Sequence, residues 1–118
     1  MDNEGTIEVD LSNFRIVKDE SPCWVYFIVD EGFHVCKIGR TYDVRLRLKQ
    51  LQHANPAELR VARVMPCKDE DDSIRLEAKM HKVFAGSRIR GEWFEIEGDL
   101  RKYLMSEGVT SAFMPAKK

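Results

Sequence analysis

The spacing of hydrophobic and polar positions changes several times along this 118-residue chain, and each change marks a predicted element. Residues 23–29 and 33–39 are rich in β-branched and aromatic side chains and are separated by an Asp-Glu-Gly turn, which predicts a β-hairpin. A short apolar stretch with alternating arginines at residues 59–64 predicts a third strand beside it. The pattern therefore predicts a small antiparallel sheet.

A different spacing predicts the first helix. Val44, Leu48 and Leu51 recur at i, i+4 and i+7, and Thr41 or Asp43 precedes them as a candidate cap. The helix is expected to run to about residue 53, where an Asn-Pro pair stops it.

Two more helices are predicted in the second half of the chain. Acidic residues 69–72 suit the positive end of a helix dipole and begin a helix to about Phe84. Residues 91–96 have the pattern of a short extended segment closing the core, and residues 99–107 that of a final helix. The expected fold class is α/β of the α+β type, with three antiparallel strands flanked by helices.

The length predicts one domain, with an acidic N-terminal arm at 1–22, the folded domain at 23–108 and a C-terminal tail at 109–118. A weakly alternating stretch at residues 6–10 allows one short strand in the arm.

Charge is distributed unevenly around a formal net charge of −1. Residues 1–31 carry eight acids and two bases, whereas residues 32–66 carry seven bases and two acids. The near-neutral total argues against a wholesale polyanion binder, but the basic block could face a phosphate backbone. The alternative is a solvated surface of locally mixed charge.

The cysteines and the hydropathy indicate the compartment. Cys23, Cys36 and Cys67 are odd in number and lack a CxxC spacing, so reduced thiols are expected rather than a disulfide framework or zinc site. No apolar run approaches the roughly 18 residues of a membrane span, and the polar first residues do not form a signal peptide. The predicted location is the cytoplasm, away from membranes.

Two charged residues fall on or beside the apolar faces of predicted helices. Arg47 borders the buried stripe of the first helix, and Glu77 lies within the apolar arc of the second, between Ile74 and Met80. Because an unpaired buried charge costs several kcal/mol, about the size of a domain's whole stability margin, Glu77 needs a metal, a cation or donors. The alternative is a structural pair of Glu77 with Arg47 or His81.

At this point a family resemblance can be stated. Tyr26 after Val25, the KIGRT run at residues 37–41, Arg47, the Glu-Ala-Lys-Met-His run at residues 77–81 and the RGEWF run at residues 90–94 follow one another in order. This order and spacing resemble a GIY-YIG nuclease domain, and more narrowly the phage-type branch of that superfamily.

The resemblance implies a domain that cleaves phosphodiesters with one divalent ion, Mg²⁺ or Mn²⁺. Carried over by position, Tyr26 would orient or deprotonate the attacking water, Arg47 would stabilise charge on the phosphate, and Glu77 would bind the metal. Without the resemblance, Tyr26 is equally well a strand tyrosine with its ring in the core.

Two positions depart from the family pattern. Trp24 replaces the glycine of the first motif and Lys37 replaces the tyrosine of the second. Lys37 is expected on the strand face shared with Gly39, where a cation could contact phosphate or polarise Tyr26. A plain lysine on a strand edge is the alternative. His81 is expected to hydrogen-bond in the core rather than bind the metal, because Mg²⁺ prefers oxygen ligands.

The predicted partner is DNA, taken as double-stranded. Contacts with its backbone are expected from basic side chains whose alternative is surface solvation, namely Arg40, Arg45, Lys49, His53, Arg88 and Arg90. A monomer would nick one strand, so a homodimer or an accessory DNA-binding partner would be needed for double-strand breaks or strong sequence preference. The phage-type resemblance suggests competition between phages or mobile elements.

Two other classes stay open from the sequence. A catalytically inactive module with the same fold could bind nucleic acid or protein. In a structural scaffold, Arg47 and Glu77 would form only an internal ion pair.

Overall fold

The computed structural model describes residues 22–106 of the chain. The strands in this range are β1 (Cys23–Asp30), β2 (Val35–Thr41), β3 (Leu59–Cys67), β4 (Arg88–Arg90) and β5 (Trp93–Glu95). The helices are α1 (Val44–His53), α2 (Glu70–Val83), α3 (Gly98–Met105) and a 3₁₀ turn at Ala85–Ser87. The strand predicted at residues 6–10 and the tail predicted at 109–118 lie outside the described residues, and the domain boundaries stay predictions.

All five strands form one antiparallel sheet in the order β3-β1-β2-β5-β4. The predicted α+β class with an antiparallel sheet is confirmed, but the prediction of three strands was wrong. The missing strands, β4 and β5, have three residues each, and every residue of β4 is exposed. The Arg-Ile-Arg alternation of β4 covers too few residues to predict a strand, and β5 lies within the extended segment predicted at residues 91–96, which was not counted in the sheet.

Strand β1 lies at the centre of the sheet and is buried on both faces, which explains its unbroken hydrophobic run. Side chains of a strand point alternately to the two faces. Cys23, Val25, Phe27 and Val29 join a core with α2 and α3, whereas Trp24, Tyr26 and Ile28 join a second core with α1. The sheet therefore separates two hydrophobic cores. Odd-numbered side chains of β1 enter the first core and even-numbered side chains enter the second.

The helices start and pack much as their sequences indicate. Asp43 caps α1 by accepting a hydrogen bond from the Leu46 N–H at 3.0 Å, and Asp69 caps α2 through the Asp72 N–H at 2.8 Å. Ile74, expected on the buried face of α2, is 44% exposed. Neighbouring positions of that helix, including the buried Ser73, face the sheet instead.

The sheet narrows where β5 ends. The last Cα pair between β2 and β5 is Lys37 with Trp93, and one further hydrogen bond joins the Ile38 N–H to the Glu92 carbonyl at 3.0 Å. Beyond this point, β2 pairs only with β1 among the described strands. Residues 39–41 thus form an open edge that side chains from both faces of the sheet can reach.

Candidate active site

A glycine on the open edge makes room for a tyrosine hydroxyl. Tyr26 of β1 lies directly opposite Gly39 of β2. A Cβ on Gly39 would lie 2.4 Å from Tyr26 Oη and 2.9 Å from Glu92 Oε1, which is closer than atoms pack. The space above Gly39 is therefore bounded by a hydroxyl and a carboxylate, and only glycine leaves it open.

Helix α1 brings Arg47 to this hydroxyl. Arg47 Nε donates a hydrogen bond to Tyr26 Oη at 3.3 Å, and its Nη1 donates to Gln50 Oε1 at 3.3 Å. No carboxylate of the described residues forms an ion pair with Arg47. Burial raises the pKa of Tyr26 despite the opposing hydrogen bond from Arg47, so the phenol is neutral near pH 7. The hydrogen bond to Tyr26 in turn raises the pKa of Arg47, which stays charged.

Glu77 reaches the same edge from α2, on the opposite face of the sheet. Its side chain is only 17% exposed, with Oε1 3.5 Å from Arg40 Nε and Oε2 3.9 Å from His81 Nε2. Oε2 is buried and has no hydrogen-bond partner among the described residues. Burial, followed by the nearby Glu92 carboxylate, raises the pKa of Glu77. Of the two alternative structural pairs, that of Glu77 with Arg47 is not formed among the described residues, whereas His81 lies 3.9 Å from Glu77.

His81 is oriented by the main chain. Its Nε2 lies 2.8 Å from the carbonyl oxygen of Ile38 and donates to it, and its ring packs edge-on against Phe94. That nitrogen carries a proton in this arrangement and so has no lone pair for a metal. The geometry agrees with the expected core hydrogen bond.

Lys37 and Glu92 complete the cluster. Lys37 shares the strand face of Gly39, as predicted, and its Nζ lies 3.0 Å from Glu92 Oε1 and 5.5 Å from the centre of the Trp93 ring. Burial acts to raise the pKa of Glu92, but the hydrogen bond and charge of Lys37 outweigh it, and the net pKa is lowered. Glu92 is therefore ionised beside a Glu77 that holds its proton more tightly.

Sequence reasoning missed Glu92 as a site residue. Residues 91–96 were predicted only as an extended segment that closes the core, and Phe94 is indeed fully buried. The available signal was a carboxylate between a turn glycine and a core strand. Such a residue lies close to the edge of the strand for any conformation of the preceding loop.

The basic residues predicted to bind DNA divide into three places. Arg40 lies inside the cluster, 3.7 Å from Glu70 and 3.5 Å from Glu77. On α1 lie Arg45, Lys49 and His53. Arg88 and Arg90 lie on the outer strand β4, at the end of the sheet opposite β3. The structure thus does not bring all six onto one surface, and their contacts with DNA stay a prediction.

The fold and the site define a small α+β domain with a charged cluster on the open edge of an antiparallel sheet. The T5orf172 domain model matches residues 23–107, and the chain belongs to this family. The family is found in phage and other nuclease-like proteins and is associated broadly with nuclease and DNA-binding function. No curated protein and no solved structure matches the chain. No helix within residues 22–106 is long and apolar enough to cross a membrane.

Proposed function

We propose that this protein is a GIY-YIG-type endonuclease that hydrolyses phosphodiester bonds in DNA with the help of Mg²⁺ or Mn²⁺. The observation that carries the proposal is the convergence of Tyr26, Arg47 and Glu77 at one open strand edge. These residues come from a strand and two helices on opposite faces of the sheet. A merely structural ion pair does not explain the arrangement, because Arg47 contacts only neutral partners among the described residues.

The residues fit a divalent cation bound through one carboxylate. Glu77 Oε2 is buried without a hydrogen-bond partner in the described part of the chain, which is costly unless a ligand compensates it. No group of three or more His, Cys, Asp or Glu side chains within residues 22–106 is placed to hold a metal. Mg²⁺ and Mn²⁺ suit such a site because they accept waters and phosphate oxygens as their remaining ligands, whereas a zinc site needs more protein ligands. When bound, the cation supplies charge neutralisation at the leaving 3′ oxygen.

Arg47 would bind a nonbridging oxygen of the cleaved phosphate. Its guanidinium has five N–H donors in a planar fork, of which the structure uses one for Tyr26 and one for Gln50. The remaining donors can stabilise the charge that grows on phosphorus oxygens in the transition state. This electrostatic role requires that no carboxylate neutralise Arg47, as observed in the described residues.

Tyr26 would orient the attacking water. Because Arg47 donates to its oxygen, the phenol's own O–H proton can be donated to a water or phosphate oxygen above Gly39. Its raised pKa makes this orienting role more consistent with the structure than permanent action as a base. Lys37 would keep the Glu92 carboxylate ionised beside the same space, and it adds positive charge near the phosphate.

The experiment is cleavage of supercoiled plasmid, including phage-derived sequence, by wild type and by Glu77→Gln with Mg²⁺, Mn²⁺ or EDTA. We expect relaxed circles from wild type with metal only, because one active site cuts one strand at a time. Asp71→Asn is the matched control, since it removes an exposed acid from the same helix and should retain activity.

The outcomes separate this function from its rivals. Equal cleavage by wild type and Glu77→Gln would refute the assigned metal ligand. DNA binding without cleavage in both proteins, on every substrate and with each metal, would favour an inactive binding module. Linear DNA that forms without a relaxed intermediate would refute the single-strand nickase and indicate a dimer.

A further inference from the structure

Helix α1 presents a basic stripe to solvent. Its ten residues contain three Lys or Arg and no acid. The positions that face solvent include both basic and neutral side chains, namely Arg45, Leu46, Lys49, Gln50 and His53. Leu46 is 51% exposed in the middle of this stripe.

The two flanks of the stripe differ in what they carry. Arg47 lies on the flank that meets Tyr26 at the open strand edge, and it also donates to Gln50, which lies on the solvent-facing side of the helix. Lys49 lies about 160° from Arg47 around the helix axis, at roughly 100° per residue. On its flank is an open pocket of about 540 Å³ without any acid, lined by Arg45, Leu48, Lys49, Gln52, His53 and Leu59. The pocket faces strand β3, away from the candidate active site.

The dimensions of α1 match one groove of a nucleic-acid duplex. An α-helix with side chains is about 10–12 Å wide, and the major groove of B-form DNA is about 12 Å wide. A helix lying there has one phosphate backbone on each side. The major groove of an A-form RNA duplex is deep and too narrow for side chains to read.

We propose that α1 lies in the major groove of B-form DNA, with the Arg47 flank against the strand that is cut and the Arg45–Lys49 pocket against phosphates of the other strand. The proposal rests on the proposed function in taking DNA as the partner. Charge complementarity carries it, since both flanks are basic and the solvent-facing crest between them is neutral at Leu46 and Gln50.

This placement gives the base-reading positions. Leu46 and Gln50 would face base edges, where an apolar side chain can contact a thymine methyl and an amide can hydrogen-bond a base. Gln50 accepts from Arg47 through Oε1, so its amide nitrogen is the group that would donate to a base. Ten residues span about 15 Å, or about four base pairs, so any preference read by α1 is short.

The test measures binding without cleavage, using the full-length Glu77→Gln protein in EDTA and a fluorescent 30-base-pair DNA duplex. Adding Lys49→Glu should weaken binding at least about tenfold and lower the dependence of log K on log salt by about one. Lys79→Glu, an exposed charge reversal on α2, is the matched control and should change affinity much less. A circular dichroism spectrum identical to the parent's checks that each variant is folded.

Two probes locate the groove. Methylation of guanine N7, which lies in the major groove, should reduce binding, whereas a minor-groove drug such as netropsin should not compete. An RNA duplex of the same sequence should bind at least about tenfold more weakly. Equal losses in Lys49→Glu and Lys79→Glu, no effect of N7 methylation, or equal binding of the RNA duplex would each overturn the proposal.

The design separates this inference from the nuclease assignment. If Lys49→Glu and N7 methylation weaken binding as expected but wild type does not cleave DNA, the inference stands and the proposed function is refuted. Metal-dependent cleavage with unchanged binding in Lys49→Glu would do the reverse.

Discussion

Two arginines on opposite faces of the sheet differ in their burial and in the acceptors of their hydrogen bonds. Arg63 of β3 is 3% exposed, and its Nη2 donates to carbonyl oxygens of Tyr103 and Ser106 and to Ser106 Oγ, while its guanidinium stacks 5.1 Å from the centre of the Tyr103 ring. Arg47 of α1 is partly exposed and donates only to a phenol and an amide. Both are held in place, but only Arg63 has strong acceptors.

The difference separates structure from chemistry. Carbonyls at the C-terminal end of α3 carry partial negative charge and accept hydrogen bonds from Nη2 of Arg63, so that arginine joins β3 to α3. Arg47 keeps donors in excess of its partners at an edge that solvent reaches. We infer that Arg63 stabilises the fold, and that Arg47 is positioned to receive an anion.

The largest effect is expected from Arg47→Ala. Its single-turnover cleavage rate at saturating protein should fall by about 10²–10³, the usual loss of a donor to a transition-state oxyanion, while stability falls by only about 1 kcal/mol. Arg47→Lys should not restore the rate, because an ammonium cannot bond Tyr26 and phosphate in one plane. Arg45→Ala, on the other flank of α1, is the control and should keep the rate at saturation. A rate within threefold of wild type in Arg47→Ala would show that Arg47, like Arg63, serves only the structure.

Arg63→Ala should show the opposite pattern. Loss of its hydrogen bonds and ring contact should lower the free energy of unfolding by about 3 kcal/mol in urea titrations. The cleavage rate per folded molecule should be unchanged at a temperature where the variant is folded. Arg101→Ala is a matched control, because Arg101 also stacks on a ring, 5.5 Å from Phe33, but is exposed, so its loss should cost far less.

A smaller effect should appear in the stability of Glu77→Gln measured in EDTA. The native pKa of Glu77 is raised above its ordinary 4.5, so the native state binds more protons than the unfolded state between the two values. Wild-type stability should therefore fall as pH rises through the native pKa. Glutamine does not titrate, so the variant should be more stable by about 0.5–2 kcal/mol at pH 7 and nearly equal to wild type below pH about 4.5.

Urea unfolding at a series of pH values checks this, with Asp71→Asn as the reference for a lost surface acid. A stability difference that shrinks as pH rises would contradict the raised pKa. A confirmed gain would mean that the site reduces stability locally, in contrast with Arg63.

Much of the fold could be predicted because its long elements have strong periods. Helix α1 and strands β1 to β3 were predicted close to their observed bounds. The outer hairpin of β4 and β5 was not counted in the sheet, since its strands pair over three residues each and β4 has no buried side chain. Ile74 was misplaced because α2 meets the sheet along the face that carries Ser73, Leu76 and Met80, and Ile74 lies outside that face.

The site was harder to predict, because its partners are distant in sequence. Arg47 could be placed beside the sheet edge from helical spacing alone, and it lies there. The pairing of Lys37 with Glu92 joins a residue of β2 to one in the turn between β4 and β5, and the position of that turn depends on a short hairpin with Gly91 at φ +55°. No local pattern gives that position, so Lys37 was predicted as a site residue without its ion pair to Glu92, and Arg40 was predicted as a DNA contact without its ion pairs to Glu70 and Glu77.

The bare main chain at Gly39 has a consequence for how this site can change. Every replacement of Gly39 adds at least one carbon, and even the carbon of alanine would meet a phenol oxygen at 2.4 Å. No amino-acid exchange at this position is conservative, so variation in activity has to arise in the side chains around it. At Gly39 the site is bounded by a Cα hydrogen only, so the main chain of β2, and not a side chain, determines its shape there.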